Sequence, residues 1–184
     1  MENLKILGIA GSLRRDSYNR ALLRAAGGLV PPDVRLETFD LNGIPTFNAD
    51  LEAAMPAAVS DFKARIRAAD AILFVTPEYN YSVPGVLKNA IDWASRPTAD
   101  SAWEGKPAAM MSASTSMLGG ARAQYHLRQT MVFLNMYPVN RPEVMVTFAA
   151  QKFDENGNLI DAKAKELIGN LLKTLADWTR RIKG

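Results

Sequence analysis

Five short apolar runs, separated by longer stretches of helical periodicity, hold this chain to one fold class. The run Ala71-Ile72-Leu73-Phe74-Val75 contains no polar position, and a strand of that kind needs both of its faces buried. Strands buried on both faces belong to parallel sheets covered by helices on either side. By this pattern the candidate strands lie at about 5–10, 34–40, 70–76, 107–112 and 140–147, and the helices at about 18–29, 55–68, 84–95, 119–135 and 161–182. The expected architecture is an α/β three-layer sandwich formed by a single domain over residues 1–184, a length within the range of one domain. No internal repeat or linker interrupts it. The longest irregular stretch runs from Asp40 to Pro56 and contains Pro45, Phe47 and Asn48.

Two loops stand out against this frame. After Ile6-Leu7-Gly8-Ile9-Ala10 comes Gly11-Ser12-Leu13-Arg14-Arg15-Asp16-Ser17-Tyr18-Asn19, and then the helical pattern Ala21, Leu22, Leu23, Ala25, Ala26. A helix start presents unpaired N–H groups and a positive dipole end, so it suits a phosphate. Ser12, Ser17 and Asn19 add neutral side-chain donors, and Arg14 adds a charged fork. Helix capping alone accounts for Ser17 but not for the other three. The second loop, Pro77-Glu78-Tyr79-Asn80-Tyr81-Ser82-Val83-Pro84-Gly85, follows the apolar run at 71–75. Its prolines set the backbone around four hydrogen-bonding side chains, and Pro84 suits the first turn of the next helix. A flat polar heterocycle fits such a loop.

Together the two loops resemble the NADPH-dependent FMN reductase family, flavodoxin-like proteins that include quinone, chromate and azo-dye reductases. The most specific parts of the resemblance are Gly-Ser-x-Arg-x-x-Ser-x-Asn at 11–19 and the Pro-Glu-Tyr-Asn stretch continuing to Trp93. It implies that Ser12, Arg14, Ser17 and Asn19 hold the FMN phosphate, and that Pro77, Glu78, Tyr79 and Asn80 line the isoalloxazine ring. A third family loop matches Ser112 to Arg122, with Ser114 as a flavin contact and Gly119-Gly120 as a source of backbone N–H groups. Relatives often carry glycine where this chain has Ser116. Five strands with this spacing fit the flavodoxin-like order 2-1-3-4-5, whose ligand crevice lies outside the carboxyl ends of strands 1 and 3.

The remaining composition narrows the chemistry. The chain has no cysteine, which removes disulfides, thiolate nucleophiles and iron–sulfur ligation. No metal site is expected, because the carboxylates show no ligand spacing. His126, the single histidine, has neither a ligand pattern nor a partner serine in sequence and is read as a helix residue. Lys and Arg are scattered among acids, with a formal net charge of +3, which favours small anions over nucleic acid. No apolar run approaches the roughly 20 residues needed to cross a bilayer, and the location expected is cytoplasmic.

The activity that these readings imply is oxidoreduction through bound FMN, with NADPH or NADH as co-substrate and quinones, flavins, azo dyes or metal oxyanions such as chromate as acceptors. Redox chemistry carried by the cofactor leaves no catalytic acid or base to be found. The alternative is an electron carrier of the flavodoxin type without NAD(P)H turnover, whose usual acidic surface this chain lacks. A homodimer or homotetramer joined through the helices at 84–95 and 119–135 is expected, with Glu143 pairing Arg122 within or across subunits.

Overall fold

The computed structural model describes residues 3–184. Its central sheet contains β1 (Leu4–Ala10), β2 (Val34–Phe39), β3 (Ala71–Val75), β4 (Pro107–Ala113), β5 (Tyr137–Pro138) and β6 (Val144–Val146). The helices are α1 (Tyr18–Gly27), α2 (Ala57–Ala68), α3 (Gly85–Ala94), α4 (Ala121–Phe133) and α5 (Ala162–Lys183). All pairings are parallel, and the order is β2-β1-β3-β4-β5, with β6 also on β4.

The strand expected at 140–147 is reduced to Val144–Val146, and a second short strand, Tyr137–Pro138, precedes the expected range. Tyr137–Pro138 pairs with the start of β4 and Val144–Val146 with its end. Between them lies Pro142, which has no N–H to give to a ladder. The order 2-1-3-4-5 holds, with the last position shared by two segments.

Every residue of β3 and of β4 is buried, as the uniformly apolar run requires. One sheet face packs against α1 and α5 through Leu22, Ile168, Leu171, Leu172 and Leu175. The other packs against α2, α3 and α4 through Phe62, Ile91, Leu127 and Met131, with Trp103 at its centre. Trp103 is fully buried, and its indole N–H donates to the Ile91 carbonyl at 3.0 Å, so the ring contributes its area without leaving a polar atom unpaired.

The apolar residues of α3 are consumed by this core. Leu87, Ala90, Ile91 and Trp93 are all buried and Val86 is partly buried against the same core, so α3 has little apolar surface left for the partner expected there. The two most exposed large apolar residues lie at the end of α4, where Val132 is 82% and Phe133 77% exposed. Among the described residues no helix is long and apolar enough to cross a membrane.

Candidate functional site

The register brings three loops to one edge. Ala10 pairs with Val75 and Val75 with Met111, so the chain leaves the carboxyl ends of β1, β3 and β4 side by side. In a doubly wound sheet, that edge is where ligands bind.

The first loop wraps the start of α1. Ser17 is the N-cap, its hydroxyl accepting from the N–H groups of Asn19 at 3.2 Å and Arg20 at 3.4 Å. Its O–H proton remains available to a ligand. Ser12 is buried, takes the Arg14 N–H at 3.3 Å and lies 3.4 Å from the Tyr79 hydroxyl. The N–H groups of Leu13, Arg15 and Tyr18 find no acceptor among the described residues. Arg14 and Arg15 are exposed, and with Ser17, Arg24 and the carboxylates Asp16, Asp154 and Glu155 they line a surface cleft of about 360 Å³. Unspent donors at a helix start beside arginines suit a phosphate. A larger cleft of about 600 Å³, around Lys5, Asp70 and Lys183, lies at the opposite end of the sheet, out of reach of these loops.

Asn19 departs from its expected part. Its amide donates to the Ala113 carbonyl and accepts the Ala113 N–H, both at 2.9 Å, and the residue is 3% exposed. Its carbonyl oxygen and one of its two amide N–H groups are spent inside the protein, which leaves at most one N–H for a ligand. It is a staple between the start of α1 and the last residue of β4, and it sets the first loop against the third.

The second loop is a two-residue hairpin turn. Tyr79 and Ser82 exchange both backbone hydrogen bonds, at 3.1 and 3.0 Å, and Asn80 and Tyr81 both have positive φ, +49° and +67°. That is the geometry of a type I′ turn. Asn tolerates it well, and a leucine in its place would add backbone strain to any loss of ligand contact. Pro77 is buried, whereas Tyr79 is 50% exposed.

Glu78 spends its carboxylate on the start of α4. One oxygen accepts the N–H groups of Arg122 at 3.0 Å and Ala123 at 3.3 Å, and the other takes the Arg122 guanidinium at 2.7 Å. The N-cap of α4 is Gly120, which has no capping side chain; Glu78 supplies the missing cap from another loop, with favourable charge for a helix start. Arg122 then lies 3.5 Å over the Tyr81 ring, clamping the strained turn. Desolvation works against the Arg122 charge, but the bonds to Glu78 and Tyr81 outweigh it and raise its pKa. Within the chain Arg122 pairs with Glu78 and not with Glu143, which faces Tyr125 and raises that phenol's pKa. His126 also has the serine partner that sequence reasoning denied it, since its Nδ1 lies 2.9 Å from the Ser82 hydroxyl and pins the far end of the turn to α4.

The third loop is stitched to the segment after β6. Ser114 N–H donates to Val146 O at 3.0 Å, Ala149 N–H to Ser114 O at 2.9 Å and Phe148 N–H to Ser116 O at 3.2 Å. Ser116 is not among the residues with positive φ and bonds to Ser114 through both its N–H and its hydroxyl, so serine fits the backbone path at this position. Glycine is required later in the loop, at Gly119 (φ +59°) and Gly120 (φ +88°). Among the described residues no group of three or more His, Asp or Glu side chains gathers as a metal site would need.

The model of the NADPH-dependent FMN reductase family matches residues 4–151, the stretch that carries all three loops. The chain belongs to this family. Among FMN reductase relatives, it is 56% identical over 184 residues to the NAD(P)H-dependent FMN reductase of Pseudomonas aeruginosa, covering 100% of this chain and 99% of that one. It is 41% identical over 177 residues to the 2-hydroxy-1,4-benzoquinone reductase of a Burkholderia species, covering 96% and 97%. Among solved structures, the flavoenzyme NAD(P)H:(acceptor) oxidoreductase FerB of Paracoccus denitrificans superposes with a TM-score of 0.87 at 35% identity, covering 97% of this chain and 98% of that one. For an FMN reductase crevice the donor set fits: unspent N–H groups and hydroxyls for a phosphate in the first loop, and a polar aromatic turn with facing glycine amides for a flat ring.

Proposed function

We propose that the protein is an FMN-dependent NAD(P)H oxidoreductase that passes electrons to quinones and flavins in the cytoplasm. The observation that supports it most directly is the meeting of three ligand-competent loops, with unspent donors, at the carboxyl edge of β1, β3 and β4. FMN held there would supply the redox chemistry, hydride acceptance from the nicotinamide and two-electron delivery to an acceptor. The residues supply binding and orientation. Ser12, Arg14, Ser17 and the free amides of the first loop hold the phosphate; Pro77, Tyr79, Asn80 and Ser114 border the ring; Gly119 and Gly120 present backbone to it. Asn19 and Glu78 belong to the same site as positioning residues, joining the loops to one another and to α4.

The purified protein should absorb near 450 nm, a value typical of oxidised flavin, and lose that band when NADPH is added without air. A colourless protein that takes up no FMN would refute the reading; a yellow one that NADPH does not bleach would favour the electron carrier. Arg14→Ala should weaken FMN retention by about 1.5–3 kcal/mol, the range for hydrogen bonds to charged groups. Equilibrium dialysis measures this, and an unchanged dissociation constant removes Arg14 from the phosphate site.

We further propose that a second copy covers the α4 face. Val132, Phe133 and Tyr125 are exposed there beside the polar Arg128 and Gln129, a mixture of apolar, aromatic and arginine residues characteristic of interface cores. Because Arg122 and His126 on the same helix hold the second loop, association through α4 would bear directly on the crevice. Sedimentation at micromolar concentration should give a dimer or tetramer, and Phe133→Asp should shift it toward monomer. A wild type that sediments as a fully active monomer would end the proposal.

A further inference from the structure

Beneath the third loop lies a buried polar network that binding of a phosphate or a ring does not call for. Ser112 and Gln124 are both fully buried. The Ser112 hydroxyl donates to the Gly119 carbonyl at 2.5 Å. It accepts in turn from the Gln124 amide at 2.7 Å, whose second N–H goes to the Val144 carbonyl at 2.9 Å. With both N–H groups committed, the Gln124 Oε1 atom is left buried with no partner. The orientation cannot simply be reversed, since Val144 offers only a carbonyl and the hydroxyl proton is already given to Gly119. A buried acceptor without a partner costs about 1–3 kcal/mol, and a group of that kind calls for an explanation in function.

What the network fixes is one peptide plane. In a trans peptide the C=O and the following N–H point in opposite directions. Because Ser112 draws the Gly119 carbonyl inward, the N–H of Gly120 is turned outward, toward the crevice edge. Neither the Gly119 nor the Gly120 N–H has an acceptor among the described residues. The glycines let the plane sit so close: a Cβ at Gly120 would come within 2.8 Å of the Ser112 Cβ and Oγ, and one at Gly119 within 3.0 Å of Met145. The outward amide also lies at the start of α4, where the helix dipole adds to its positive end.

We infer that Ser112 and Gln124 are positioning residues that aim the Gly120 N–H at the charge the flavin gains on reduction, and so raise the cofactor's reduction potential. A preorganised donor of this kind favours the state in which charge has developed over the state in which it has not. The network therefore acts on reduced FMN more than on oxidised FMN, a distinction that a purely structural role does not make. The inference rests on FMN as the ligand of the crevice, which the wild-type dissociation constant tests separately.

The experiment measures the affinity for oxidised FMN and the two-electron midpoint potential in wild type, Ser112→Ala and Gln124→Met, with melting temperature as the control for folding. Affinity for reduced FMN should fall about tenfold relative to oxidised FMN in each variant, which makes the potential about 30 mV more negative for a two-electron couple. Ser112→Cys, which keeps a weak donor, should recover part of the shift. Lower melting temperature with unchanged potential in both variants would overturn the inference, leaving the network a structural one. Should neither variant fold, the Gly120 amide resonance of the wild type decides: it should move downfield when bound FMN is reduced, and no response to reduction overturns the proposal. A wild type that binds no FMN overturns this inference and the functional reading together.

Discussion

Asn19→Leu should destabilise the fold by about 2–6 kcal/mol and, in whatever protein remains folded, release FMN. Leucine has nearly the shape of asparagine, so the cost is not a cavity. It comes from the Ala113 N–H and C=O, which lose both of their partners in a place where water cannot replace them. Each stranded buried group costs about 1–3 kcal/mol. The same substitution severs the join between α1 and β4, and with it the register of the first loop against the third, so ligand affinity should fall further than the melting temperature alone would suggest. Chemical denaturation and FMN titration of the variant test both parts. A variant as stable as wild type would mean that the staple is dispensable; one less stable but with full FMN affinity would mean that the two loops are positioned independently.

Asn19 also illustrates how far the sequence could be read. A polar residue two places after a helix cap looks like a ligand when only the local chain is visible, because hydrogen-bonding capacity is a property of residue type. Its use is decided by what lies opposite, and here the partner is 94 residues away. Glu78 follows the same logic: the missing cap on α4 belongs to Gly120, and nothing near Glu78 announces it. The sheet was legible for the converse reason. Uniform apolarity at 71–75 demands burial on both faces whatever the partners are, and the parallel order with its ligand edge follows. The gap between the last two strands had a visible cause in the polar stretch Asn140-Arg141-Pro142-Glu143, where Pro142 has no N–H for a ladder. Ser112 left a signal that sequence reasoning passed over: a lone hydroxyl among Ala, Met and Pro in a fully buried strand must find a partner.

Gly120→Ala isolates the backbone requirement of the third loop, and the effect should be large for a single methyl group. With φ at +88° the residue lies outside the regions that an L side chain adopts readily, at a cost of about 1–3 kcal/mol. The new Cβ would also stand 2.8 Å from the Cβ and Oγ of Ser112, which cannot retreat, since it is part of a wholly buried strand. Overpacking of this kind adds about 1–3 kcal/mol, for a total of roughly 2–6 kcal/mol. Alanine keeps the N–H, so any loss of FMN affinity must come from moving the peptide and not from deleting a donor. The two consequences separate cleanly: denaturation reports the strain, and FMN titration reports whether the loop has escaped it by turning the amide away from the crevice. Full stability would show that the loop relaxes at no cost, and full stability together with full FMN affinity would show that the glycine conformation is not needed. Gly43→Ala, at φ +87° with no atom within 4 Å of its new Cβ, is the matched control, because it carries the backbone strain without the clash.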